Sequence, residues 1–76
     1  MRVTIINTKT AEAIEYRTLA DGIAKHKPES AKTGYTFKVY NTDTGEIVGN
    51  IRPNPHQYKT KSNPNGKLTA RFIRQD

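Results

Sequence analysis

One six-residue pattern occurs twice in this chain and limits its possible folds more than any other feature. Asn7-Thr8-Lys9-Thr10-Ala11-Glu12 returns 34 residues later as Asn41-Thr42-Asp43-Thr44-Gly45-Glu46. Each copy separates two runs in which apolar and polar residues alternate, the period-two signature of a half-buried strand. A break of Asn, Thr and Asp between such runs predicts a β-hairpin, closed by a residue in the left-handed region. Gly45 adopts that conformation without strain, and Ala11, which carries a Cβ, suits it less well. Stacked repeat architectures need about three units, so two copies read as one hairpin solution used twice.

The second hairpin can be paired residue by residue. With Asp43-Thr44-Gly45 as its loop, Thr42 faces Glu46, Tyr40 faces Val48, Lys38 faces Asn50 and Phe37 faces Ile51. Alternation then places Phe37, Val39, Ile47 and Ile51 on a core face. Thr36, Lys38, Tyr40, Asn50 and Arg52 fall on the opposite, polar and basic face. A third hairpin is expected around Asn63-Pro64-Asn65-Gly66, where Pro presets φ and Gly accepts a positive φ. In that hairpin Tyr58 faces Phe72, Thr60 faces Ala70, Ser62 faces Leu68, and Lys59 lies opposite Arg71 with Lys61 and Thr69 beside them. Arg52-Pro53-Asn54-Pro55 reads as the connector, because proline does not sit inside a central strand.

Between the two copies lies one helix. Thr18 followed by Asp21 resembles a capping box with Asp in place of Glu. Leu19, Ile23 and His26 or Lys27 follow at helical spacing, flanked by Ala20 and Ala24. Pro28 is expected to end the helix, leaving residues 29–33 as loop, and Gly22 weakens it by up to ~1 kcal/mol relative to Ala. The expected fold is therefore α+β, a single domain over residues 1–76. It is a small antiparallel sheet built from hairpins, with one helix on one face, in the order β-β-α-β-β-β-β. Only 33% of the 76 residues are hydrophobic and none is Trp, so the core must be thin and the second sheet face open.

The same composition excludes several functions. Without cysteine there are no disulfides, thiolate metal sites or thiol nucleophiles, and the expected location is the cytoplasm. No apolar run approaches the ~18 residues of a membrane helix, and the start of the chain is too polar for a secretory signal. Candidate catalytic groups are sparse. Ser30 and Ser62 are outside any nucleophile context, and His26 and His56 are 30 residues apart without an acid near His56. Glu12 and Glu15 read as a hairpin rim, and no Gly-rich phosphate loop precedes a Lys-Ser/Thr pair. The expectation is a non-enzymatic protein with no cofactor and no metal.

Charge supplies the one positive argument. Residues 1–46 hold seven Lys/Arg and six Asp/Glu, whereas residues 47–76 hold six Lys/Arg and only Asp76. An excess confined to one half of a chain of net charge +6 implies an anionic partner for that half. Like charges across a strand pair repel, and phosphates would relieve that repulsion. The expected nucleic-acid-binding residues are Lys38, Tyr40, Arg52, Lys59, Lys61, Lys67, Arg71 and Arg74. Tyr40 and Tyr35 would stack on bases, and Asn54, His56, Asn63 and Asn65 would add polar contacts. DNA and RNA fit equally well. The competing expectation is a small inhibitor or regulator of the phage or mobile-element kind, bound to a host protein through the same basic face or a sheet edge. Lysines that only guard an exposed strand would leave the same trace.

Overall fold

The computed structural model describes residues 1–54 and 69–75. Five strands and one helix run in the order β1 (Val3–Asn7), β2 (Ala13–Tyr16), α1 (Leu19–Thr33), β3 (Phe37–Asn41), β4 (Ile47–Pro53) and β5 (Ala70–Arg74). The strands form one antiparallel sheet in the order β2-β1-β3-β4-β5, and α1 packs against one face of it. The α+β architecture expected from the sequence is the one observed. The further strand expected around residues 58–62, with its pairing to residues 68–72, lies outside the described residues.

The repeated hexapeptide folds the same way twice. In the first copy the Asn7 side-chain oxygen accepts from the N–H groups of Lys9 (2.8 Å) and Thr10 (3.2 Å), and Ala11 N–H donates to the Asn7 carbonyl (2.7 Å). In the second copy Asn41 accepts from Asp43 (2.9 Å) and Thr44 (3.3 Å), and Gly45 N–H donates to the Asn41 carbonyl (2.8 Å). Thr10 and Thr44 each accept from the following Glu N–H. Ala11 and Gly45 both lie in the left-handed region, at φ 65° and 76°. Asn7 and Asn41 close these loops against Glu12 and Glu46, so each loop holds four residues rather than the three expected for the second hairpin.

The two copies are also related in space. β1 and β3 are adjacent and antiparallel, with Val3 opposite Asn41, Ile5 opposite Val39 and Asn7 opposite Phe37. Since the copies are offset by 34 residues, that register carries each pair onto another, Val3–Asn41 onto Phe37–Asn7, and Ile5–Val39 onto itself. The two hairpins are thus related by a pseudo-two-fold axis through the Ile5–Val39 pair. Thr8 N–H bonds to the Thr36 carbonyl at one end of this pair, and Thr42 N–H to the Arg2 carbonyl at the other.

The core is the helix-side face of the central strands. Val3, Ile5, Phe37, Val39 and Ile51 are fully buried, with Leu19, Ile23, Tyr16, Tyr35, Val48 and Phe72 packed around them. Each fully buried side chain contributes roughly 1.5–3 kcal/mol before its entropy cost. Gly22 lets the helix approach that closely, since a Cβ there would lie 2.6 Å from Ile5 Cδ1 and 3.3 Å from Val3 Cγ2. Its weak helix propensity is thus offset by packing.

Three expectations are corrected. First, α1 does not end at Pro28 but continues through it to Thr33. Thr18 caps the start, accepting from Asp21 N–H at 3.1 Å, and Gly34, at φ 79°, caps the end. Pro28 forfeits one helical hydrogen bond, but its ring is exposed and displaces nothing in the core. The last turns are held by buried Ser30, whose hydroxyl donates to the Tyr35 carbonyl (2.7 Å), and by Thr33, which donates to the Glu29 carbonyl (2.7 Å).

Second, Ile47 is not a core residue. A bulge between Val39 and Tyr40 shifts the register, so Tyr40 faces Ile47 instead of Val48, while Lys38–Asn50 and Phe37–Ile51 pair as expected. Ile47 turns to the outer face, 36% exposed, and Val48 packs against the core instead. Third, Pro53 belongs to β4, opposite Ala70. Hydrogen-bonding residues alternate along an antiparallel pair, and Asn54 N–H donates to the Thr69 carbonyl (3.0 Å). Position 53 therefore owes no N–H to β5, and proline is tolerated there.

Candidate nucleic-acid interface

The sheet face away from α1 is the candidate site, and its rows are set by the register. At one end Glu15, Thr4, Tyr40 and Ile47 lie side by side across β2, β1, β3 and β4. Next come Ala13, Ile6, Lys38, Asn50 and Ile73, across all five strands. At the far end Arg52 on β4 lies directly opposite Arg71 on β5. Lys38, Arg52 and Arg71 are exposed and Tyr40 is half-buried. Ile47 and Ile73 are 36% and 37% exposed, so the face is basic and apolar together.

The Arg52–Arg71 pair is unfavourable on its own, since like charges directly across strands repel. Arg71 is held in place regardless. Its Nη1 donates to Asn54 Oδ1 (2.7 Å), and the Asn54 amide donates to Thr69 Oγ1 (2.8 Å). All three side chains are on the outer face by alternation, so the guanidinium is anchored at one terminal nitrogen. Among the described residues, no carboxylate lies within ion-pair distance of Lys38, Arg52 or Arg71.

The acids at the opposite end are already engaged. Arg2 pairs with Asp43 (2.6 Å) and with Glu15 (3.5 Å), and Asp43, by hydrogen bond and by charge, followed by Glu15, raises the Arg2 pKa. Thr4 and Thr42 share a hydroxyl hydrogen bond of 2.8 Å beside them. The positive charge of the face is thus gathered at the Arg52–Arg71 end.

Not every expected site residue converges here. Lys38, Tyr40, Arg52 and Arg71 do, and Asn54 joins them. Arg74 is opposite Gly49, in the alternation that faces the helix side, so it is exposed but on the other surface. Tyr35 does not share a face with Tyr40. It packs against the core, with Lys9 Nζ 5.8 Å from its ring centroid. Lys59, Lys61, Lys67, His56, Asn63 and Asn65 lie outside the described residues.

A second polar cluster sits on the helix side. His26, 6% exposed, bonds through Nδ1 to Glu29 Oε1 (3.1 Å) and through Nε2 to the Tyr16 hydroxyl (2.8 Å). A carboxylate can only accept, so Nδ1 donates to Glu29. The imidazole packs on Phe37 with ring centroids 4.6 Å apart. Burial, then the charges of Glu29 and Glu12, push the Tyr16 phenol above its ordinary pKa. A cavity of about 340 Å³ opens beside this chain, lined by Asn7, Glu12, Lys25 and Phe37 among others. Its legible signal was the i, i+3 spacing of His26 and Glu29, hidden by the expectation that Pro28 ends the helix. Glu12 and Glu15 do not converge, because Glu15 turns to Arg2 on the outer face. Among the described residues no group of three His, Cys, Asp or Glu is placed to hold a metal, and no helix is long and apolar enough to cross a membrane.

Compared with protein-family models, with curated proteins and with solved structures, the chain matches none.

Proposed function

We propose that this protein is a non-enzymatic, cytoplasmic nucleic-acid-binding protein that uses the outer face of its sheet. The observation that carries the reading is the Arg52–Arg71 pair, two arginines at directly opposed positions of neighbouring strands with no carboxylate nearby among the described residues. A phosphate between them would turn a repulsion into two charge-assisted contacts. Lys38 extends the patch on β3, and the segment between β4 and β5 adds Lys59, Lys61 and Lys67 to the same half of the chain. Charge contacts of this kind position a protein on nucleic acid without reading its sequence, so affinity should vary little with base order.

Fluorescence anisotropy with labelled oligonucleotides across a salt series tests the reading. Roughly three to five phosphate contacts give a log–log salt slope of about −2 to −4. Arg52→Glu combined with Arg71→Glu should reduce affinity at least tenfold at low salt and leave the circular dichroism spectrum unchanged, because the substitution adds no buried charge. Unchanged binding in that double variant removes this face as the site. No binding by the wild type even at low salt removes nucleic acid as the partner, and a protein target takes its place.

A further inference from the structure

We infer that the ligand of this face is an unpaired strand, with a base stacked on Tyr40 and the backbone running to Arg52 and Arg71. The inference rests on the nucleic-acid reading above and narrows it to one class of substrate.

Width is the first argument. Neighbouring strands lie about 4.8 Å apart, so five strands present a face roughly 19 Å across. The major groove of a DNA duplex is about 12 Å wide and takes a helix or a two-stranded ribbon. Lys38, Arg52 and Arg71 are on three neighbouring strands of that five-stranded sheet, and among the described residues no pair of them protrudes as a separate ribbon. Against a duplex this face could meet only the outer phosphates.

Chemistry is the second. The rows that separate the two arginines from Tyr40 are not polar throughout. Ile47 lies directly beside Tyr40, and Ile6 and Ile73 occupy the middle row with Lys38 and Asn50. Apolar side chains gain nothing against phosphates, but they and an aromatic ring suit the faces of unstacked bases. A duplex buries those faces in its own stack. The polarity of the face, aromatic and apolar at one end and cationic at the other, matches a strand that turns its bases and its phosphates to different sides. Ring faces and phosphates are common to DNA and RNA, so both should bind.

Charge is the third. Arg2 pairs with both Asp43 and Glu15 at the Tyr40 end and offsets half of their charge, so a polyanion crossing the face meets no unpaired carboxylate in those rows. The bulge in β4 adds to the apolar end, because it turns Ile47 outward beside Tyr40.

The test is anisotropy with labelled oligothymidylate and oligouridylate of twenty nucleotides, each alone and annealed to its complement, at one salt concentration. The single strands should bind at least tenfold tighter than the duplexes. Tyr40→Leu should weaken single-strand binding by about 5- to 150-fold, the range for one stacked base, with the salt slope unchanged. Tyr40→Phe, which keeps the ring, should bind as the wild type does. Duplexes that bind as tightly as single strands overturn the inference and leave the nucleic-acid reading intact. An equal loss in Tyr40→Phe and Tyr40→Leu also overturns it, since the ring would not be the contact. If neither form binds at low salt, both the inference and the reading beneath it fall.

Discussion

The two hairpins begin with the same turn and end differently. Up to the loop they match bond for bond, with Asn7 and Asn41 each accepting from two backbone N–H groups of the turn. Beyond it β2 pairs without interruption from Ala13 to Tyr16, whereas β4 admits one extra residue, so that Val39 meets Gly49. Local sequence decides the turn, since the bonds that close it lie within six residues. The course of the strand after the turn depends on its neighbours. β2 is the edge of the sheet and is tied to α1 through Tyr16 and His26. β4 is an interior strand that must accept β5, and the Phe72 ring lies where a side chain at Gly49 would be. The bulge puts glycine at that contact, because without it Val48 would stand opposite Val39.

The most disruptive way to break this comparison is Gly49→Val. Its Cβ would lie 2.7 Å from Phe72 Cζ and also meet the Ile73 carbonyl. We expect a loss of about 3 kcal/mol or more, at the upper end for overpacking, measured by urea unfolding. A cost below about 1 kcal/mol would mean that β5 docks without needing the bulge.

An intermediate test exchanges the one residue in which the twin turns differ in backbone strain. A residue with a Cβ in the left-handed region costs roughly 1–2 kcal/mol. Gly45→Ala should therefore destabilise the protein by about 1 kcal/mol, and Ala11→Gly should stabilise it by a few tenths to 1 kcal/mol, after glycine's added unfolded-state entropy. Thermal denaturation of the two variants should move in opposite directions. Movement in the same direction would show that the turns are alike in bonding but not in strain.

The smallest effect concerns how the first hairpin is tied to the helix. Tyr16 is held above the ordinary phenol value of 10.0 by burial and by Glu29 and Glu12. Its folded pKa is raised, so its contribution is complete below that ordinary value and lost as pH rises through the folded one. Between those limits the unfolded chain releases the proton first, and stability falls. Tyr16→Phe removes this decline, at the cost of about 1 kcal/mol for the lost hydrogen bond near neutrality. The two stability curves should converge above pH 10, and curves that stay parallel would show that Tyr16 ionises alike in both states.

Much of the candidate site was legible because alternation within a strand survives small errors of register. Lys38, Tyr40, Arg52 and Asn50 shared a face in the sequence pattern and share it in the structure. Arg52 opposite Arg71 was not legible, because it depends on β5 pairing with β4 across residues 54–69, and no local pattern encodes that pairing. Ile47 and Tyr35 were misplaced for related reasons. A single-residue bulge reverses the face of the bulged strand's residues between it and the turn, and Tyr35 lies before β3, where Ser30 anchors the chain to the helix end.

By itself, the sequence determined what short-range chemistry can specify. That covers the twin Asn-closed turns, the alternation of the strands, the Thr18 cap and the concentration of positive charge after Glu46. Only the tertiary structure decided that the helix runs through Pro28, that β4 bulges to receive Phe72, and that two arginines face each other on an open sheet. Each of these raises a local cost, such as a missing hydrogen bond, an unpaired residue or a like-charge contact. Burial of neighbouring groups offsets the first two within the described fold, and a phosphate ligand would offset the third. Local preference cannot foresee such offsets, because the groups that supply them are distant in the chain.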